Sequence, residues 1–254
     1  MRQRSAGEGV SIEMYHVGRR FPVVGGYFDA LKDIHAVIPE GKLTILKGKS
    51  GSGKTTLLNL IGLLDVPTTG KILIGGREVG ELKEKDRDEL RRTQMGFVFQ
   101  AVSLIPSLTA YQNVEFSLRL AGIRTNRKER VEECLDMVGL GKRMHHMPAE
   151  MSGGEQQRVA IASAIAHRPR IILADEPTAE LDSVMAAQVT RLLGELTKKE
   201  GVTIVMTTHD VGLMDAGDMT IELEDGNQIS VTEAKPSIDG GEKQKVLARI
   251  GGEK

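Results

Sequence analysis

The sequence predicts an α/β fold: a parallel-sheet core, an antiparallel β subdomain toward the N-terminus, and an inserted α-helical subdomain. Three observations predict it. Between residues 156 and 209, helix-like and strand-like segments alternate as QQRVAIASAIAH, RIILAD, SVMAAQVTRLLGELTKKE and VTIVMTTH. That order builds a parallel sheet. Residues 10–46 break instead into short strands and turns, and residues 101–150 hold helical stretches with no strong strand.

Taken in order, VSIEMYHV, ALKDIHAVIPEG and KLTILKG read as strands, and the alternation of Ile34, Ala36 and Ile38 marks a half-buried one. The apolar run 43–46 stops before Gly48, and TTLLNLIGLL follows as a helix with a broad apolar face. KILIGGREV (71–79) reads as two short strands around Gly75 and Gly76. Residues 81–94 are dense in charge and form a solvated helix; GFVFQ (96–100) is a strand. AYQNVEFSLRLAG and RKERVEECLDMVGL are the helices of the insertion. This gives one domain over residues 10–230, with the helical subdomain at about 101–155 and a polar, glycine-rich tail over 231–254. No repeat of fixed period is present.

Composition narrows the function. Of 254 residues, 40% are apolar and 27% charged, as in a globular protein long enough for a sizeable core. Lys and Arg number 34 against 35 Asp and Glu, and aromatics are 3%. Neither a basic surface nor base-stacking platforms are predicted, so no nucleic acid is expected as a partner. Cys134 is the single cysteine, which precludes an internal disulfide and fits a reducing compartment. In VEECLDMVGL it reads as a small buried residue. No apolar run approaches the roughly 20 residues of a membrane helix, and MRQRSAGEGVSIEM lacks a signal-peptide core. The chain is expected in the cytoplasm, with any membrane link made through a partner.

Gly48, Lys49, Ser50, Gly51, Ser52, Gly53, Lys54 and Thr55, followed by Thr56, fit G-x-x-x-x-G-K-[ST] between an apolar strand and an apolar helix. Glycines let the backbone turn tightly and aim successive N–H groups at phosphate oxygens. The helix N-terminus adds positive potential, Lys54 a mobile charge for the β- and γ-phosphates, and Thr55 a hydroxyl for Mg2+. A flexible glycine-serine loop would share the composition but not the flanking elements. In this the chain resembles the P-loop NTPases, and the resemblance implies a RecA-like parallel-sheet core.

A second apolar strand, Ile171-Ile172-Leu173-Ala174, ends in Asp175 and Glu176. Ligands bind at such strand ends in parallel sheets. Asp175 suits a place near Mg2+, directly or through water, and Glu176 suits polarising an attacking water. Alternation points the two to opposite sides of the strand. Alone they would equally suit a solvated loop; their place after a phosphate loop favours the site.

Further on, Met151-Ser152-Gly153-Gly154-Glu155-Gln156-Gln157-Arg158 is a turn opening an alanine-rich helix. Ser152 can cap that helix with Glu155 in the capping-box position, leaving another anion site. The same residues would also serve simply as a well-capped helix. A second phosphate site meets the same nucleotide only if the chain folds back or another copy supplies it.

GKSGSGKTT, Gln100 in FVFQ, MSGGEQQRVA, IILADEPTAELD and TTHD occur in that order. Over about residues 10–230 the chain thereby resembles the ATP-binding cassette (ABC) ATPases. LIPSLTAYQNV and MSGGEQQRVAIA most resemble the lipoprotein-releasing and macrolide-export types, with the cell-division type nearby. The resemblance implies ATP and Mg2+ as ligands and a head-to-tail pair of copies. Each ATP then lies between the phosphate loop of one copy and Ser152, Gly153, Gly154 and Glu155 of the other. It places Thr55, Gln100 and Asp175 around Mg2+, Glu176 as the base, His209 on the γ-phosphate and Asp182 in communication across the dimer. It also implies an aromatic stacked on adenine; Phe21 in RRFP is the choice, with Tyr15 and Tyr27 as competitors. Met151 stands where Leu is commoner, Ser163 where Arg is usual, and Ala179-Glu180 where Gly-Asn is usual. The last departure bears on the dimer contacts.

The resemblance implies an energising subunit of a membrane transporter, an exporter or lipoprotein-release complex, bound to an integral-membrane permease at the inner face of the membrane. A mechanical coupler of the cell-division type is the alternative. A soluble ABC ATPase of DNA repair or ribosomes is a third reading; neither long coiled coils, zinc cysteines nor a second cassette is present to favour it.

Overall fold

The computed structural model describes residues 11–179, 181–209, 212 and 216–234. The elements, in chain order, are β1 Ile12–Val23, β2 Gly26–Ile38, β3 Leu43–Lys47, α1 Lys54–Ile61, β4 Thr69–Ile74, β5 Arg77–Glu78, α2 Glu84–Gln94, β6 Met95–Val98, α3 Ala110–Leu120, α4 Arg127–Met137, α5 Gly153–Ile165, β7 Ile171–Ala174, α6 Ser183–Glu200, β8 Thr203–Thr208, β9 Met219–Glu224 and β10 Asn227–Glu233. A six-stranded sheet runs β10-β9-β3-β8-β7-β6, and a four-stranded sheet runs β2-β1-β4-β5. The pairs of β3 with β8 and β9, of β7 with β8, and of β6 with β7 are parallel. Only β10 is antiparallel to its neighbour in that sheet.

Both faces of the parallel sheet are covered, which is why its strands are continuous apolar runs. In β7, Ile172 and Ala174 enter one core with Val114 of α3, Val131 of α4, Val159 of α5 and Leu193 of α6. Ile171 and Leu173 enter the other, with Leu57, Leu60 and Ile61 of α1 and with Ile12, Ile34 and Ile72 of the antiparallel sheet. Helix α1 is thus buried among residues of both sheets. Arg130 of α4 secures the helical subdomain. Its guanidinium donates to the carbonyls of Ile165 and Ala166 at 2.9 and 3.0 Å, where the closing turn of α5 leaves carbonyls unpaired.

Five expectations differ in detail. Residues 10–46 hold two long strands before β3, 12 and 13 residues in length. They look short in sequence because the β1–β2 register shifts three times between Met14 and Arg20, and each bulge interrupts the period-two pattern. The predicted strand 96–100 ends at Val98, its last pair with Ala174, and leaves Phe99 and Gln100 exposed. The helix after the glycine turn stops at Ile61, with Gly62 as its C-cap. Strands β9 and β10 have no counterpart among the predicted elements, although Asp225-Gly226 between them is a hairpin signal; both residues have positive φ, 48° and 77°. Because β10 reaches Glu233, residues 231–233 are strand rather than tail. The rest of the tail, from residue 235, lies outside the described residues.

Among the described residues no helix is long and apolar enough to cross a membrane. Cys134 is fully buried on α4, and burial pushes its thiol up to about 12. The native chain should therefore leave this thiol unlabelled by an alkylating reagent at pH 8 and label fully in denaturant. Rapid native labelling would contradict the packing of α4.

Candidate functional site

The site lies beyond the carboxyl ends of β3, β8 and β7. Strand β3 runs into the glycine loop, and α1 begins at Lys54. Glycine is required at two of its positions. A Cβ on Gly48 would stand 2.3 Å from the Leu223 carbonyl oxygen and 2.5 Å from Ser52 Oγ; one on Gly53 would meet Leu31 Cδ2 at 2.7 Å and the Ala30 carbonyl oxygen at 2.8 Å. Both residues also carry positive φ, 150° and 103°. Lys54 is buried at 5% exposure, and its Nζ donates back to the Gly48 and Lys49 carbonyls at 2.8 and 3.0 Å. Ser52 Oγ is buried without a partner. No acidic residue occupies the first turn of α1, whose leading N–H groups have no partner within the helix. Such a cradle fits an anion: free donors, a mobile ammonium and close backbone approach. Lys49, Ser50, Gly51 and Thr55 are exposed, and Thr56 is half-buried.

Asp175 and Glu176 follow β7. The Asp175 amide donates to the Val98 carbonyl at 2.8 Å. Its Oδ1 accepts from Thr55 Oγ1 at 3.2 Å and from Thr207 Oγ1 at 2.7 Å. Thr207 Oγ1 in turn accepts from the Glu176 amide at 2.7 Å. Glu176 has a φ of 44°, and its Oε2 lies 3.2 Å from His209 Nδ1. Thr55, Asp175, Thr207, Glu176 and His209 are therefore one connected group. Thr207 is the member that sequence reasoning did not single out, although it is the first residue of the TTHD segment.

Gln100 is exposed two residues past Val98, beyond the end of the strand beside β7; among the described residues no hydrogen bond links it to Thr55 or Asp175. Hard oxygen donors at Thr55 and Asp175 suit Mg2+. Among the described residues no cluster of three or more His, Cys, Asp or Glu is placed to hold a metal. A cation at this site would thus rest on few protein ligands, and phosphate and water oxygens would complete its shell.

Phe21 is half-buried and pairs with Phe28 across the β1–β2 hairpin. The Arg19 guanidinium lies 4.5 Å from its ring centre. Phe28 is two residues from Ala30, whose carbonyl meets the Gly53 position, so the pair stands beside the end of the glycine loop. Tyr27 is one residue further along the hairpin and 70% exposed. Tyr15 lies toward the other end, its hydroxyl donating to Glu13 and its ring edge-on to His35 at 5.5 Å. Phe28, which the sequence did not single out, is 57% exposed at the same place.

The Ser152 turn is closed on itself. Ser152 Oγ accepts from the Glu155 amide at 3.3 Å, and Glu155 Oε2 accepts from the Ser152 amide at 2.9 Å. Arg143 pairs with Glu155 at 3.1 Å. The Ser152 amide first, then its hydroxyl and nearby arginines, hold the Glu155 carboxyl below the usual carboxylate range. Gly153 has open space where a side chain would stand, whereas a Cβ on Gly154 would lie 2.6 Å from Met185 Cε. Asp182 caps α6, accepting from the Met185 amide at 2.9 Å. Among the described residues no hydrogen bond or ion pair joins residues 152–155 to residues 48–56.

Comparison with known proteins gives a consistent result. Residues 31–179 match the ABC transporter family; residues 146–215 also match an AAA domain described as putative AbiEii toxin, Type IV TA system. The chain is 44% identical to an uncharacterized ABC transporter ATP-binding protein of Thermotoga maritima, over 78% of this chain and 85% of that protein. It is 42% identical to the macrolide export ATP-binding/permease protein MacB of Bartonella henselae, over 85% of this chain but only 33% of MacB. Among solved structures it resembles the dimeric post-hydrolysis state of the ATP-binding cassette MJ0796 bound to ADP and Pi. That match has a TM-score of 0.80 and 38% identity, covering 88% of this chain and 99% of the other.

A depressed folded-state pKa stabilises a protein above the unfolded value, about 4.3 for Glu, and the gain disappears as pH falls through the folded value. Glu155→Gln keeps the cap geometry and removes the charge. Melting curves should show the wild type more stable than the variant at pH 6, with the gap shrinking below about pH 4.3. A gap unchanged down to pH 3 would contradict the assignment.

Proposed function

The chain belongs to the ABC transporter family, and we propose specific roles for its site residues and partners. It is an ATP-hydrolysing cassette, and the observation that carries the proposal is the connected group at the strand ends. Thr55 and Asp175 share a hydrogen bond at 3.2 Å, and Glu176 and His209 lie 3.2 Å apart. The two pairs are joined through the Thr207 hydroxyl at the strand ends.

On this reading the N–H groups of residues 48–56 and the free Ser52 hydroxyl hold phosphate oxygens. Lys54 swings its ammonium from the Gly48 and Lys49 carbonyls to the β- and γ-phosphates, which offer full negative charge in place of two dipoles. Thr55, Asp175 and Gln100 would hold Mg2+, which would supply charge neutralisation to the phosphates. Thr55 gives its proton to Asp175 and so leaves its lone pairs for that cation. Glu176 takes the proton of the attacking water. His209 orients the Glu176 carboxylate and contacts the γ-phosphate as charge shifts. Phe21 offers its ring to adenine.

The Ser152 turn acts on the ATP of a second copy. Support comes from the open space at Gly153, the anion-binding end of a capped helix, and the dimeric state of the MJ0796 cassette. Asp182 lies beside that turn, since residues 181 and 185 pack against Gly154, and this favours a role in linking the two sites. ATP then closes the pair and hydrolysis opens it. An integral-membrane permease is the proposed partner, holding the chain at the inner face of the membrane.

Lys54→Ala should weaken ATP binding in an equilibrium titration. Glu176→Gln should bind ATP as wild type does but hydrolyse it on the order of 10²–10⁴-fold more slowly, and should elute as a dimer in Mg-ATP. Wild-type turnover by Glu176→Gln would remove it as the base. Tagged Glu176→Gln protein, recovered from native membranes in Mg-ATP, should bring an integral-membrane subunit with it. Recovery of only soluble or nucleic-acid partners would refute the transporter assignment.

A further inference from the structure

We infer that Thr207 is a positioning residue of the ATP site, and that its hydroxyl orients the Asp175 carboxylate and the Glu176 backbone together. The inference rests on the nucleotide-site reading above. Thr207 is fully buried, so its hydroxyl has no water to turn to. Its place is set by the sheet: it pairs with Leu46 at the end of β3, and Met206 beside it pairs with Ala174 at the end of β7. The side chain therefore stands between the strand that feeds the phosphate loop and the strand that feeds the two acids.

A threonine hydroxyl has one proton to donate and lone pairs to accept. Here the proton goes to Asp175 Oδ1, and a lone pair takes the Glu176 N–H, both at 2.7 Å. The two bonds have different consequences. The first makes Oδ1 the shared acceptor of Thr207 and Thr55, which restrains the carboxylate from two sides. The second holds Glu176 at a φ of 44°, a conformation that a residue with a side chain keeps only where its surroundings enforce it. That backbone turn is what brings the Glu176 carboxylate to His209 instead of continuing the strand. One hydroxyl thus couples the proposed cation ligand to the proposed base, although Thr207 touches neither substrate nor cation.

Thr207→Val preserves shape and removes the hydroxyl; Thr207→Ser removes a methyl and preserves the hydroxyl. The measurements are kcat, the KM for ATP at saturating Mg2+, and, by equilibrium titration without turnover, the Mg2+ concentration that half-saturates the ATP-bound protein. Thr207→Val should lower kcat about ten- to a hundredfold, the loss of one charge-assisted bond, and raise the half-saturating Mg2+ several-fold, with KM little changed. Thr207→Ser should restore kcat and the Mg2+ dependence. A purely structural residue would lower melting temperature without moving the Mg2+ requirement. The inference is overturned if Thr207→Val keeps wild-type kcat and Mg2+ dependence, or if Thr207→Ser is as impaired as Thr207→Val. Should the valine variant not fold, an impaired serine variant overturns it and an active one upholds it. Asp175→Asn, assayed alongside, separates the two levels. If it shows wild-type Mg2+ dependence, the site reading falls and the Thr207 role with it. If it is impaired while Thr207→Val is not, only the Thr207 role falls.

Discussion

A single carboxylate oxygen, Asp175 Oδ1, receives hydroxyls from two elements far apart in sequence: Thr55 at the start of α1 and Thr207 near the end of β8. This arrangement exists only because β3, β8 and β7 are parallel neighbours in matched register. A slip of one residue in any of them would send one partner to the opposite face of the sheet. The apolar runs that enforce register are therefore as much part of the site as the polar residues beyond them. Ile172 and Ala174 face one core, and Ile171 and Leu173 the other. The next residue, Asp175, emerges where the core stops and donors begin.

The glycine loop depends on a support that its own sequence does not contain. The Gly226 amide donates to the Ser52 carbonyl at 3.1 Å, and the Gly226 carbonyl accepts from the Lys32 amide at 2.9 Å. The Leu223 carbonyl approaches Gly48, and the Ala30 carbonyl approaches Gly53. The turn between β9 and β10 and the middle of β2 thus press on the loop from outside. Gln228 adds a brace between the two sheets, its amide exchanging hydrogen bonds with the His35 backbone at 3.1 and 2.9 Å. The loop holds its strained conformations because of this packing, which leaves its outward N–H groups fixed for an anion.

What the sequence makes legible follows from how local each interaction is. Residues 48–56 act through backbone geometry and fixed spacing, so glycine, lysine and threonine at those positions can be read directly. Strand β7 and its two acids are legible for the same reason. The long β1–β2 hairpin is obscured because its bulges break alternation, with His16 at a φ of 53° among them. Strand β9 carries a cue that the expected elements do not use, the alternation of buried Met219, Ile221 and Leu223, and the Asp225-Gly226 turn marks the hairpin to β10. Thr207 is hidden more deeply still. It opens TTHD, but its contacts follow from the register of three strands, which that pattern does not spell out. The Ser152 turn is legible as a capped helix, while its isolation from the glycine loop is a fact of the fold.

The central claim is that Thr55 and Asp175 act together through one Mg2+. Its most direct test is ATP affinity measured for Thr55→Ala, Asp175→Asn and the double variant, with Mg2+ and with chelator. The account predicts that in Mg2+ the double variant binds little worse than the weaker single variant, and that in chelator all three match the wild type. Losses that add in Mg2+ and persist in chelator would mean the two residues act separately and without a shared cation.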